Sequence, residues 1–180
     1  MREFYMDTNV FISQLKPDDP YHSEAEIIAK GLERDEIQAS TSVLALLEVA
    51  SVAGRFYEAK KGAKGTERER RIFIVKTLRR LAGLKVRFVH VAGDSSILVR
   101  SIRADVPGIF NEALLLSLRT SLRTLDLIHL AAAKHAKQVN RELGAFVTGD
   151  DGFLTKKEEL SKILSVPILS PKEYVEALGL

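Results

Sequence analysis

Short apolar runs of three to six residues alternate along this chain with longer stretches of helical periodicity. That alternation calls for a parallel sheet wrapped by helices. Phe4-Tyr5-Met6 reads as a buried strand that passes through Asp7-Thr8-Asn9 into a helix beginning near Val10. Ala25, Ile28, Ala29 and Leu32 place a helix over Tyr21 to Glu33, and Ile37 to Ala39 is a short strand. Thr41-Ser42 reads as the cap of a helix from Val43 to about Tyr57. After the loop Lys60 to Thr66, helical spacing resumes from Glu67 to Leu81, followed by a third strand over Val86 to Val91. Helices are expected at Asp94 to Arg103, Ile109 to Arg119 and Thr124 to Lys137. Ala145 to Val147 is a fourth strand and Val166 to Leu169 a fifth. Ser170-Pro171 then opens the last helix.

At 180 residues the chain suits one domain, 1–180, with no internal repeat or low-complexity tract. The bulky helical stretch from about Gly54 to Asn111 is expected to form an arm beside the core. The absence of cysteine excludes disulfides, thiolate zinc sites and a cysteine nucleophile. No apolar run reaches the length of a membrane span, and Arg2, Glu3 and Asp7 are incompatible with a secretory signal, so a cytoplasmic address is expected. A net charge of +3 permits contact with a phosphate backbone without specifying it. Abundant Lys, Arg and Glu beside scarce Asn, Gln and Met fit a heat-adapted protein.

Ligands of open parallel sheets sit beyond the carboxyl ends of the strands. Asp7 follows the first strand and Asp150 the fourth. Glu48 and Asp126 lie where an ordinary helix would be apolar, the first among Leu44, Leu46, Leu47, Val49 and Val52, the second among Leu122, Leu125, Leu127, Ile128 and Leu130. Burial of an unpaired carboxylate is costly, so such residues are paired, protonated or bound to a cation. Converging carboxylates raise one another's pKa, and a divalent ion reverses this. Oxygen ligands of this kind suit Mg²⁺ or Mn²⁺, which share their remaining positions with water and phosphate. Each residue also has a plainer role: Asp7 as a helix cap, Asp150 in a turn, Glu48 and Asp126 on exposed helix stripes. Asp151 is expected to face solvent.

These residues resemble the motifs of the PIN-domain family, the nuclease fold of VapC-type toxins. Asp7-Thr8-Asn9 is similar to the opening motif of that family, and Glu48 to its second acidic position. Arg123-Thr124-Leu125-Asp126-Leu127-Ile128-His129-Leu130-Ala131 is similar to the helix carrying the third. Thr148-Gly149-Asp150-Asp151-Gly152-Phe153 looks like the fourth. The resemblance covers about Met1 to Val52 and Leu122 to Leu180. It implies a three-layer α/β/α sandwich with a short, mainly parallel sheet. A middle of about 54–118, longer than in the compact toxins, would form an enlarged helical elaboration.

The resemblance further implies a Mg²⁺- or Mn²⁺-dependent endoribonuclease that hydrolyses single-stranded RNA with a metal-activated water. Asp7, Asp126 and Asp150 would ligate metal directly, and Glu48 through water or by orienting the nucleophile. Thr8, Asn9 and Thr148 would hold carboxylates or waters in place. Many relatives are homodimers, and many are held inactive by an antitoxin protein.

Arg123, three residues before Asp126 and so on the same helix face, is expected to pair with it in preference to contacting a phosphate. His129 reads as a hydrogen-bonded core histidine rather than a general base. Lys60, Lys61 and Lys64 lie in a basic stretch that is either a solvated face or an RNA-tracking patch. Gly62-Ala63-Lys64-Gly65-Thr66 lacks P-loop spacing. Three other functions compete with the ribonuclease. One is a non-catalytic nucleic-acid or protein binding module, and another a structure-specific DNA nuclease. The third, a phosphatase using Asp7, lacks the D-x-D-x-T pattern.

Overall fold

The computed structural model describes residues 3–89, 94–99 and 102–180. Five strands form one sheet in the order β3-β2-β1-β6-β7, with every pairing parallel. They are β1 (Glu3–Met6), β2 (Gln38–Ser42), β3 (Arg87–Val89), β6 (Ala145–Val147) and β7 (Ile168–Leu169). Phe4 stands opposite Ala39, and Tyr5 opposite Phe146. Side chains alternate across a strand, so β1 serves two cores. Phe4 and Met6 join Ala145 and Val147 in one, while Tyr5 joins Phe146 and Ile168 in the other.

Helices cover both faces. On the first lie α1 (Thr8–Leu15), α2 (His22–Glu33), α3 (Leu44–Lys61), α4 (Glu67–Gly83) and α9 (Pro171–Leu178). On the second lie α5 (Gly108–Ser117), α6 (Thr124–Val139), α7 (Asp151–Leu154) and α8 (Lys157–Leu164). The result is a three-layer α/β/α sandwich. Ala25, Ile28, Ala29 and Leu32, at helical spacing, form the buried stripe of α2. Ala131, Ala132 and Ala133 let α6 lie close against the sheet at β2. Ser170 and Glu173 form a reciprocal capping box behind Pro171 at the start of α9. Among the described residues, no helix is long and apolar enough to cross a membrane.

The expected helix at Asp94 to Arg103 is instead part of an antiparallel hairpin, β4 (Asp94–Val99) paired with β5 (Ile102–Pro107), which packs on α5. Residues 100 and 101 of that expectation lie outside the described residues, as do 90 and 91 of the third strand. A short apolar run does not distinguish helix from strand, and the β-branched Ile97, Val99, Ile102 and Val106 favour the pleated form. The middle of the chain is therefore not wholly helical. It pairs α3 with α4 through a 3₁₀ turn at Gly62–Lys64, then adds this hairpin. Glu58 accepts from Arg70 Nε at 2.8 Å, and Tyr57 OH donates to Glu69 at 3.1 Å, joining the two helices.

Thr41 and Ser42 end β2 rather than stand outside a helix, although Ser42 Oγ still accepts from the Leu44 amide at 3.1 Å. Both are buried, so their hydroxyls lie inside the sheet layer. The segments α7 and α8 fill a stretch for which the pattern gave no element.

Candidate active site

The sheet reverses its winding between β1 and β6, because the chain leaves β1 toward β2 on one side and returns to β6 on the other. The carboxyl edge at such a switch point is the natural crevice of an open parallel sheet. Asp7 leaves β1 there, and Thr148-Gly149-Asp150 leave the neighbouring β6. The Asp7 amide donates to the Val147 carbonyl at 3.0 Å, stitching the two strand ends together. Glu48 reaches the same crevice from the first turns of α3, and Asp126 from the first turn of α6. All four carboxylates line one cavity of about 430 Å³.

Asp7 is 5% exposed and its oxygens are firmly held. Oδ1 accepts from the Thr8 amide at 2.7 Å, and Oδ2 accepts from Asn9 Nδ2 and Thr148 Oγ1, each at 2.7 Å. Asn9 Oδ1 in turn accepts from the Gly149 amide at 2.8 Å. The Asp150 amide donates to Thr148 Oγ1 at 3.0 Å. Thr8, Asn9 and Thr148 thus tie the two strand ends into one frame. Asp150 caps α7, its Oδ1 accepting from the Gly152 amide at 2.6 Å. A Cβ on Gly152 would fall 2.7 Å from that oxygen, so a side chain there would displace the carboxylate. Asp151, beside it, is exposed as expected.

Glu48 is held differently. Its Oε2 accepts from Thr8 Oγ1 at 2.5 Å and from His129 Nε2 at 2.8 Å. An ionised carboxylate only accepts, so Nε2 carries a proton, and in the neutral ring Nδ1 accepts from Tyr5 OH at 2.9 Å. The buried hydrogen-bonded histidine expected from the pattern is present, 2% exposed. Its partner is a carboxylate of the site, a connection no spacing within one element reveals.

The charges are strongly coupled. Burial raises the Asp7 pKa, with Glu48 adding to the effect and His129 and Thr148 opposing it. Asp126 is raised by burial and by the charge of Asp150. Burial would raise Glu48 as well, but the bonds from His129 and Thr8 outweigh it and leave Glu48 lowered. Burial would depress His129, yet the Glu48 bond and the charges of Asp7, Glu48 and Asp126 raise it. This is an excess of negative charge converging on one cavity, the condition a bound cation relieves. The hard carboxylate oxygens lining this cavity fit a divalent metal ion. Among the described residues, no three acidic or histidine side chains already surround a common point at ligand distance. The cavity therefore presents ligand-competent oxygens without a finished coordination sphere.

Arg123 departs from expectation. It occupies the extended cap position before α6 (φ −72°, ψ 161°), so helical i, i+3 geometry does not apply to its side chain. Asp126 Oδ2 accepts from the Arg123 backbone amide at 3.3 Å, and no Arg123–Asp126 ion pair occurs among the described residues. Lys60 and Lys61, at the end of α3, and Lys64, in the 3₁₀ turn, are exposed and do not line the cavity. Twelve residues of helix put Lys60 about 18 Å from Glu48. Arg55 lines the cavity instead, two turns beyond Glu48 and braced by Ser51 Oγ at 2.7 Å. Its spacing of seven from Glu48 was the available signal.

Compared with known families, the chain matches the PIN domain over residues 4–159. No curated protein gives a significant match.

Proposed function

The chain belongs to the PIN-domain family, generally metal-dependent nucleases, and from that premise we propose that it is an endoribonuclease hydrolysing single-stranded RNA with Mg²⁺ or Mn²⁺. One observation carries the reading: carboxylates from four separate elements line a single cavity at the sheet's switch point. Asp7, Asp126 and Asp150 would hold the ion. When bound, a divalent ion neutralises charge on a phosphodiester and acidifies water. Glu48, kept ionised and fixed by Thr8 and His129, orients the attacking water and accepts its proton. Arg55 contacts a phosphate oxygen of the strand.

The preference for RNA and a toxin role in a toxin–antitoxin pair draw on the likeness of the four acidic motifs to VapC-type toxins. A cytoplasmic location and an antitoxin partner belong to the same proposal. A homodimer is supported by Phe110 and Leu114 on α5 and Leu118 at its C-terminal cap, spaced by four and 47%, 39% and 78% exposed. The test is incubation of labelled single-stranded RNA with Mn²⁺, with Mg²⁺ and with EDTA, beside Asp7→Asn/Asp126→Asn. Cleavage that requires metal and is lost in the variant is expected. Undiminished cleavage in excess chelator would sink the proposal, and an inert protein that still retains RNA would identify a binding module.

A further inference from the structure

Beside the acidic cavity lies a second, of about 340 Å³, walled by α1, α3 and α4. Ile12 and Val52 line both, so the two adjoin. The second is apolar and aromatic within. Phe56, 41% exposed, stacks beside Phe73 with ring centroids 6.4 Å apart and planes 18° from parallel. Lys16, Lys76 and Arg80 stand around it, and no carboxylate lines it. Among the described residues none of these three cations has an ion-pair partner, whereas Arg70 on the same α4 is paired with Glu58.

Four carboxylates repel an incoming polyanion, more than Arg55 on the same wall offsets, so affinity for a nucleic-acid strand must come largely from cations outside the acidic cavity. An exposed aromatic ring offers any base a stacking surface. On the reading of the acidic cavity given above, we propose that the groove of Phe56, Lys16, Lys76 and Arg80 is the subsite for a nucleotide flanking the cleaved bond. Its base stacks on Phe56 and its phosphates bind the three cations. Lys60, Lys61 and Lys64 do not line this groove.

The test is fluorescence anisotropy of a labelled single-stranded RNA of about a dozen nucleotides, in EDTA so that no cleavage interferes. Phe56→Ala is expected to weaken binding about tenfold, and Phe56→Trp to retain it. Lys76→Gln/Arg80→Gln is expected to lower the slope of log affinity against log salt by about 1.4, at about 0.7 per phosphate on a single strand. Thermal melts confirm that each variant is folded. Wild-type affinity and salt slope in all of these variants overturn the inference. So does a folded Phe56→Ala that loses self-association, or binding of an acidic amphipathic peptide, but keeps RNA. Cleavage of the same RNA in Mn²⁺, lost in Asp126→Asn, tests the parent reading separately. Intact cleavage with unaltered binding by the groove variants removes the subsite alone, whereas a chain that neither binds nor cuts RNA removes both.

Discussion

Asp7 and Asp126 carry folded pKa values raised above 3.8, their ordinary value. The stability they contribute is fully present below that value and lost as pH rises through their folded values, so both oppose folding of the metal-free chain at neutral pH. His129 has the same sign: its contribution is present below 6.5 and lost as pH rises through its raised folded pKa. Glu48 runs the other way, stabilising above 4.5 and losing that effect as pH falls through its lowered value. In EDTA the melting temperature should therefore rise on going from pH 8 toward pH 6. His129→Gln should flatten that rise, as a thermal-melt series against pH would show. Thr148→Val removes a hydroxyl that serves Asp7, Asn9 and Asp150 together. Loss of such support should weaken Mn²⁺ binding about 10- to 100-fold, read by calorimetry.

The elements tolerate little change where they meet the sheet. Ala132 is fully buried between α6 and the sheet layer. Ala132→Leu should overpack this contact and cost about 1–3 kcal/mol, read as a lowered denaturation midpoint with an unchanged slope. At the other end of the chain, Ser170 Oγ accepts from the Glu173 amide at 3.2 Å and holds the start of α9. Ser170→Ala should cost about 1 kcal/mol, or about 2–4 °C in melting temperature. Elements with long periodic faces, α2, α4 and α6, were legible because their apolar spacing repeats over several turns. The hairpin β4–β5 was not, because each arm is too short for periodicity to separate strand from helix. The helix α8 buries only Leu160 and Leu164 among charged residues, a stripe too sparse to stand out.

Across the whole molecule, an ion held in the acidic cavity as proposed would couple metal to stability. An ion that binds only the folded chain stabilises it by about 2.7 kcal/mol at a hundredfold excess over its dissociation constant. Millimolar Mn²⁺ should therefore raise the melting temperature of the wild-type chain by several degrees and leave Asp7→Asn/Asp126→Asn unmoved. No shift in the wild-type chain would count against a metal site among these carboxylates.

The four carboxylates could be read from the sequence because each has a local signature, a charge inside an apolar helix or an aspartate just past a strand. The alternation of short strands with helices gave the helix-wrapped parallel sheet, and the three-layer class followed from the resemblance of the motifs. Local signatures report what a residue cannot easily do alone, such as remain buried and unpaired. They do not report partners 40 or 120 residues away. The tertiary structure alone brought Thr8 and His129 to Glu48, and Tyr5 to His129, because strand order, and not spacing, sets which ends share a crevice. It also replaced the expected Arg123–Asp126 ion pair with a backbone contact, and it put Arg55, rather than the lysines at the far end of α3, on the wall of the acidic cavity. Long flexible cations leave no periodic mark of which way they face, and only the packing of one helix against another decides it.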